Sequence, residues 1–413
     1  MSDTLQFPRL AEGALANALS DTPVVVVHGP RQSGKTTLAQ RVGGRMGFEY
    51  VSLDDDTTRR AALDDPAGFV ARLPERMIID EIQRAPELFL PLKVEVDRRR
   101  TPGRFLLTGS TNVLLAPRVA DSLAGRMGSI RLYPMAQCEI ERRAPSLLGS
   151  ILKGDFKVRT APRLGEELAA RIVAGGFPAA LARNTPVRRR QWYADYVDAM
   201  VQRDLRDLAR ISSLHTIPKL LKLAASQTAR LINVSELAAP FQVSRPTIRE
   251  YVTLLERIFL IDELPPWHSN RLKRLVKTPK LHMSDSGLAC ALLGTTAADL
   301  WEDRVLLGQM LETFVYGELR RQSSGFEEPL EFSHYRDKDG AEVDIVIEHA
   351  GSRVSGVEVK ASSTVRPTDF RGLHGLRKAT GKRFVCGVVL YDGEVTVGFG
   401  EGMYAVPLAA LWA

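Results

Sequence analysis

At 413 residues the chain is long for one domain of roughly 150 residues, and two or three domains are expected. A composition of 44% hydrophobic and 25% charged residues excludes a mainly disordered chain. Cys138, Cys290 and Cys386 are dispersed with no C-x-x-C pair, which excludes a disulfide scaffold and a cysteine zinc site and points to a reducing, cytoplasmic setting.

The net charge of +7 names no polyanionic partner unless it is clustered. The valine run Val24 to Val27 falls far short of the ~20 residues that span a bilayer, so no membrane partner is expected. The start Met1-Ser2-Asp3-Thr4 carries an acid and no apolar segment, unlike a secretory signal.

In the first 140 residues, short apolar runs alternate with longer helical patterns. Val24 to Val27, Phe48 to Leu53, Met77 to Asp80, Phe105 to Thr108 and Ser129 to Leu132 read as strands of a parallel sheet covered on both faces. Directly after the valines, Gly29-Pro30-Arg31-Gln32-Ser33-Gly34-Lys35-Thr36 satisfies G-x-x-x-x-G-K-[ST], and Thr37 continues into a helix. Glycines let backbone N–H groups wrap phosphate oxygens, and the helix N-terminus adds positive potential. Lys35 then reaches the β- and γ-phosphates of ATP, and the Thr36 hydroxyl holds Mg²⁺.

The strand Met77-Ile78-Ile79 ends in Asp80-Glu81, which sets two carboxylates at the carboxyl end of a buried sheet. Asp80 is expected to hold Mg²⁺ through water, and Glu81 to orient and deprotonate the attacking water. A further strand ends in Thr108-Gly109-Ser110, where Ser110 or Thr108 is placed to sense the γ-phosphate.

Together these residues resemble the AAA+ branch of P-loop ATPases, and more closely the ATPases that carry a C-terminal DUF4143-type domain. The closer match rests on Gly29 to Thr37, Asp80-Glu81-Ile82-Gln83, Leu107-Thr108-Gly109-Ser110 and Leu123-Ala124-Gly125-Arg126. The resemblance implies a role for Arg126 as an arginine finger toward a neighbouring subunit, and hence a ring or other homo-oligomer. The alternative for Arg126 is a surface arginine closing a loop. No sensor-2 arginine stands out in the helical segment that follows.

From about residue 160 to 230 the pattern is helical, and from 231 to 300 it is read as mostly helical with one proline-rich break, Leu264-Pro265-Pro266-Trp267. Asn233 to Ala238 and then Phe241 to Val252 read as helix, turn, helix, with Ser244 as N-cap and Pro246 in the first turn. This looks like a winged helix-turn-helix, with Arg245, Thr247 and Arg249 on the start of the second helix, where such motifs meet base edges.

Arg271, Lys273, Arg274, Lys277 and Lys280 then supply five cations with no acid between Leu264 and Lys280. From Arg230 to Lys280 there are nine Lys/Arg against five Asp/Glu. A DNA backbone is therefore the expected partner of this stretch. Protein contact and a solvated face are its alternatives.

In the last 110 residues, Ala341 to Glu348 alternates, with Val343, Ile345 and Ile347 on one face and Glu342, Asp344, Val346 and Glu348 on the other. A turn near Gly351 brings Asp344 opposite Glu358, with Lys360 on the same face. Two carboxylates for Mg²⁺ and a lysine beside the attacking water then converge. The D-x(13)-E-x-K arrangement resembles the PD-(D/E)xK nuclease superfamily, although Val343 stands where the proline is expected. That resemblance adds an acid from a preceding helix, for which Glu312 stands in the matching place.

The fold class is read as α/β and multidomain. Residues 1–155 form a P-loop AAA+ ATPase core, 156–228 a helical lid, 229–300 a winged helix-turn-helix-like middle, and 301–413 a DUF4143, restriction-endonuclease-like domain. Two functions follow. One is a Mg²⁺-dependent ATPase that binds nucleic acid and cleaves DNA through its C-terminal domain. The other is an ATP-gated DNA-binding regulator or scaffold whose nuclease-like domain only binds.

Overall fold

The computed structural model describes residues 7–110, 125–205, 216–241, 243–269 and 278–413, apart from the side chains of 203 and 204. Two compact units make up the chain, residues 1–135 with Arg257–Phe259, and residues 136–256 with 260–413.

In the first unit, α1 (Ala11–Asp21) leads into β1 (Val24–His28), α2 (Lys35–Arg45), β2 (Glu49–Ser52), β3 (Met77–Asp80), α3 (Phe89–Arg98), β4 (Phe105–Gly109) and β5 (Met127–Arg131). All five strands are parallel, in the order β2-β3-β4-β1-β5. Successive strand side chains point to opposite faces, so one valine run feeds two cores. Val24 and Val26 pack with Leu92 and Val96 of α3, while Val25 and Val27 pack with Leu15 and Leu19 of α1 and Leu38 of α2. Each fully buried Val or Leu contributes about 1.5–3 kcal/mol. Because β4 lies between β1 and β3, the carboxyl ends of three strands stand side by side, the edge where α/β sheets bind ligands.

The second unit begins with helices, among them α4 (Glu166–Ala174), α5 (Pro186–Ala199) and α6 (Thr216–Ser226). There follow β6 (Arg230–Leu231), α7 (Val234–Ala238), α8 (Arg245–Arg257), β7 (Ile261–Leu264), β8 (Lys280–Met283), α9 (Ser286–Leu293) and α10 (Arg304–Ser323). The Asn233 side chain caps α7, and the Ser244 hydroxyl accepts from Thr247 N at 3.2 Å at the start of α8. Helices dominate the described residues of 231–300, as expected, and β6, β8 and β7 add a small antiparallel sheet. Phe259 takes a left-handed φ of 61° just after α8. The apolar run that follows then continues as strand, which periodicity alone does not separate from a buried helix.

The C-terminal strands are β9 (Glu331–Arg336), β10 (Glu342–His349), β11 (Arg353–Lys360), β12 (Phe384–Tyr391), β13 (Val397–Gly398) and β14 (Met403–Pro407), with α11 (Arg371–Thr380) between β11 and β12. They form a mixed sheet in the order β13-β14-β12-β11-β10-β9. The β10–β11 hairpin pairs Ile345 with Val357, which brings Asp344 to the Glu358 end of β11.

The clean alternation expected along β10 is corrected by a bulge, since the register against β9 shifts between Val343 and Val346. Both valines therefore enter one core with Leu373 and Leu376 of α11. An inserted residue flips every later side chain to the other face. Trp267, from the proline-rich break, is buried in that same core. Among the described residues no helix is long and apolar enough to cross a membrane.

Candidate functional site

The loop from Gly29 to Thr36 joins β1 to α2. Gly29 has φ 155°, and a Cβ there would lie 2.0 Å from the Leu132 carbonyl oxygen, so a side chain is excluded. Gly34 has φ 95°, the left-handed region, and caps α2. Lys35 is buried, and its Nζ donates to the Pro30 carbonyl at 2.9 Å, which folds the ammonium over the loop. Arg9 braces the loop from outside, donating to the Ser33 and Tyr133 carbonyls at 2.6 Å each. Among the described residues the fully buried Ser33 hydroxyl has no hydrogen-bond partner.

Asp80 ends β3 beside this loop. The Thr36 hydroxyl donates to its Oδ1 at 2.9 Å, Thr108 Oγ1 donates to the same oxygen, and the Tyr50 hydroxyl donates to Oδ2 at 3.0 Å. Burial, then the Asp80 charge, pushes the Tyr50 phenol up to about 12. Glu81 follows in the left-handed region, φ 57° and ψ 46°. That conformation costs a non-glycine residue about 1–3 kcal/mol and gathers at functional sites. Thr108 Oγ1 accepts from Glu81 N at 3.1 Å. The Gln83 amide then donates to the Glu81 carboxylate, and to Ser110 Oγ at 2.9 Å.

The two sensor candidates thus stand differently. Thr108 holds Asp80 and the Glu81 backbone, while Ser110 reaches Glu81 through Gln83. Oxygen donors at Thr36 and Asp80, next to a buried lysine, fit Mg²⁺ and a polyphosphate. His28, one residue before the loop, is kept neutral. Burial, then Arg131 and Lys35, lowers its pKa to about 4.

Reasoning from sequence missed three residues here. Gln83 follows the Asp80-Glu81 pair in sequence with no role assigned to it, and its signal is a polar side chain one turn after an acid pair. Tyr50 and Arg9 gave no signal, since nothing local distinguishes them from other surface residues. Arg126 makes a two-point pair with Asp97 of its own chain, at 2.6 and 3.1 Å.

In the second unit, Arg245 is exposed at the start of α8, the Thr247 hydroxyl shares a hydrogen bond with Ser244, and Arg249 pairs with Glu263 of β7. Arg271, Lys273, Arg274 and Lys277 lie outside the described residues. Lys280, expected to join the phosphate-binding basic run, is buried among acids instead, which corrects that expectation. Its side chain is 6% exposed, and Nζ stands 2.7 Å from Glu312 Oε1 and 3.2 Å from Asp344 Oδ1.

The acids Glu312, Asp344 and Glu358 do converge. Lys360 Nζ donates to Glu358 Oε1 at 2.7 Å, and Val359 N donates to Asp344 Oδ2 at 3.0 Å. Burial, then Asp344, raises Glu358 to about 8, and burial and Asp344 also raise Glu312 well above the carboxylate range. This cluster does not fit Mg²⁺ as it stands. Lys280 fills the space between Glu312 Oε1 and Asp344 Oδ1, Lys360 takes Oε1 of Glu358, and the buried Glu358 Oε2 has no hydrogen-bond partner among the described residues. No group of three or more His, Cys, Asp or Glu side chains among the described residues is arranged to hold a metal. The three cysteines are buried and free.

Residues 21–141 match the family model of an AAA domain, residues 165–299 match a domain of unknown function, DUF8612, and residues 307–411 match another, DUF4143. An uncharacterized protein of Mycobacterium tuberculosis is 29% identical over 400 residues, covering 97% of this chain and 83% of its own. A cytidylate kinase of Polynucleobacter asymbioticus is 26% identical over 236 residues, which is 53% of this chain and 92% of its own. Among solved structures, the Walker-type ATPase of Pyrococcus abyssi aligns with 13% identity and a TM-score of 0.42 over 68% of this chain and 94% of its own. The RuvB Holliday junction branch migration motor of Thermotoga maritima aligns with 19% identity and a TM-score of 0.28 over 62% and 87%. The chain therefore carries an AAA-type ATPase domain, followed by DUF8612 and DUF4143 domains.

Proposed function

We propose that this chain is a Mg²⁺-dependent ATPase whose hydrolysis gates contact with DNA. The observation that carries the reading is the continuous set of contacts from Thr36 through Asp80, Thr108 and Glu81 to Gln83 and Ser110, at the carboxyl ends of three adjacent strands. Thr36 and Asp80 would hold Mg²⁺, which neutralises phosphate charge and fixes the β- and γ-phosphoryl groups.

The chain's own residues do the rest. Backbone N–H groups of residues 29 to 36 cradle phosphate oxygens, and the Lys35 ammonium exchanges the Pro30 carbonyl for a phosphate oxygen. Glu81 takes a proton from the attacking water, and Gln83 orients the Glu81 carboxylate and links it to Ser110. Arg126 exchanges Asp97 for the γ-phosphate held by a neighbouring copy, which makes the active form a ring or other homo-oligomer.

Arg245, Thr247 and Arg249, and from the sequence alone Arg271, Lys273, Arg274 and Lys277, are the proposed DNA contacts. For the C-terminal domain, the position of Lys280 between Glu312 and Asp344 favours binding over cleavage, so the chain is read as an ATP-gated DNA-binding regulator. The reducing cytoplasm is its proposed location.

Lys35→Ala should abolish ATP binding and turnover, whereas Glu81→Gln should bind ATP and fail to hydrolyse it, measured by nucleotide binding and phosphate release. Unchanged hydrolysis in both variants refutes the ATPase reading. Mixing Arg126→Ala with Glu81→Gln subunits tests completion in trans, and additive activity at every ratio argues against it. Metal-dependent cutting of duplex, single-stranded or branched DNA that Asp344→Ala removes would restore the nuclease reading.

A further inference from the structure

We infer that Lys280 is the resident cation of the C-terminal carboxylate cluster, so that a divalent ion binds there only when Lys280 is removed or withdrawn. The inference is independent of ATP turnover. It rests first on how Lys280 is held. Its backbone lies in β8, the central strand of its sheet, paired with Leu231 of β6 and Leu264 of β7. A side chain launched from a doubly paired strand is aimed with little freedom, unlike one from a loop.

The second support is the geometry at Nζ. One oxygen from each of two acids, Glu312 Oε1 at 2.7 Å and Asp344 Oδ1 at 3.2 Å, converges on it. That is the point a bridging ion would occupy, since Mg²⁺ needs carboxylate oxygens at about 2.0–2.1 Å. Glu312 comes from α10 and Asp344 from β10, so Lys280 joins elements far apart in sequence.

The third support is charge. Three carboxylates face two ammonium groups, Lys280 and Lys360, and both lysines are engaged. Burial opposes a charge on Lys280, yet Asp344 and Glu312 outweigh it and hold the ammonium above the usual lysine range. His282, 4.0 Å from Glu312 Oε1, is held neutral by burial and by Lys280, so it adds no competing cation. A divalent ion entering this arrangement would meet a fixed like charge and find Glu312 Oε1, both Asp344 oxygens and Glu358 Oε1 already accepting hydrogen bonds.

The test uses the full chain without nucleotide and counts bound Mn²⁺ by electron paramagnetic resonance. The P-loop is common to every variant, so differences report the C-terminal cluster. Wild type and Asp344→Asn should bind the same number of Mn²⁺ ions. Lys280→Met should gain one Mn²⁺ per chain, and Lys280→Met with Asp344→Asn should lose it again, while Lys280→Arg gains none. A wild-type Mn²⁺ that Asp344→Asn abolishes overturns the inference. So does a Lys280→Met protein that melts cooperatively and gains no ion. Should Lys280→Met fail to fold, the comparison of wild type with Asp344→Asn decides by itself.

Discussion

Gln83→Ala probes the ATPase centre at a residue to which the sequence alone assigns no role. The Gln83 amide makes two contacts, one to the Glu81 carboxylate and one to Ser110 Oγ at 2.9 Å. A hydrogen bond to a charged group is worth about 1.5–3 kcal/mol. Glu81 sits in a left-handed backbone conformation, and Gln83 donates to its carboxylate. If the amide orients the carboxylate for the transition state, its loss lowers kcat by roughly ten- to a hundredfold, at 1.36 kcal/mol per factor of ten.

Neither contact of the amide is to the 29–36 loop, so KM for ATP should stay within about twofold, the pattern of an interaction made in the transition state. Phosphate release at saturating ATP measures this, with Gln83→Glu as a second variant in which one carboxylate repels another. Turnover equal to or above wild type in Gln83→Ala would show that the amide restrains Glu81 instead of orienting it, and would refute the reasoning.

His28 supplies a pH prediction. Its folded pKa is lowered from 6.5 to about 4, so between those values the unfolded chain holds more protons and stability falls as pH falls. The difference caps the effect at about 3 kcal/mol. His28→Gln should lose this part of the acid sensitivity of melting between pH 6.5 and 4, and parallel pH curves would exclude it. Neutralising Arg271, Lys273 and Arg274 together should lower DNA affinity and reduce the salt slope by up to roughly three; an unchanged slope places the phosphate contacts elsewhere. Asp285→Ala removes a buried carboxylate and should destabilise the second unit by about 3–5 kcal/mol in urea titrations. Nucleotide affinity should be unchanged, and a midpoint that does not move would contradict the account.

Legibility in sequence followed the range of the forces involved. The P-loop and the Asp80–Glu81 strand are local, because contiguous residues supply the turn, the helix start and the acids, and so they could be read directly. The β10–β11 pairing was also local, since a short hairpin near Gly351 sets its own register. The bulge at Val343 to Val346 was not, because it depends on pairing with β9. Lys280 was misplaced for a related reason. A basic run read along the chain takes each cation as solvated, yet alternation within β8 turns this one inward toward acids 32 and 64 residues away. Gln83 lay in plain view, but its role needs Ser110, which arrives from another strand.

The buried network around Asp285 bears on how the matched domains should be understood. Asp285 accepts from Gly176 N at 2.8 Å and from Leu288 N, Tyr193 OH and Arg321 at 3.0 Å each. Arg321 donates in turn to Glu318, which accepts from Gln137 N at 2.9 Å. Asp285, Gly176 and Tyr193 fall in the DUF8612 span, and Arg321 and Glu318 in the DUF4143 span. An arginine and two acids buried together are tolerated only while every partner is present. Cutting the chain near residue 301 would strip Arg321 of Asp285, Glu312 of Lys280, and the β9–β12 core of Trp267. The two matched domains are therefore parts of one cooperative body. A DUF4143 fragment that fails to cut DNA says nothing about the intact centre, because the residue that fills that centre belongs to the DUF8612 segment.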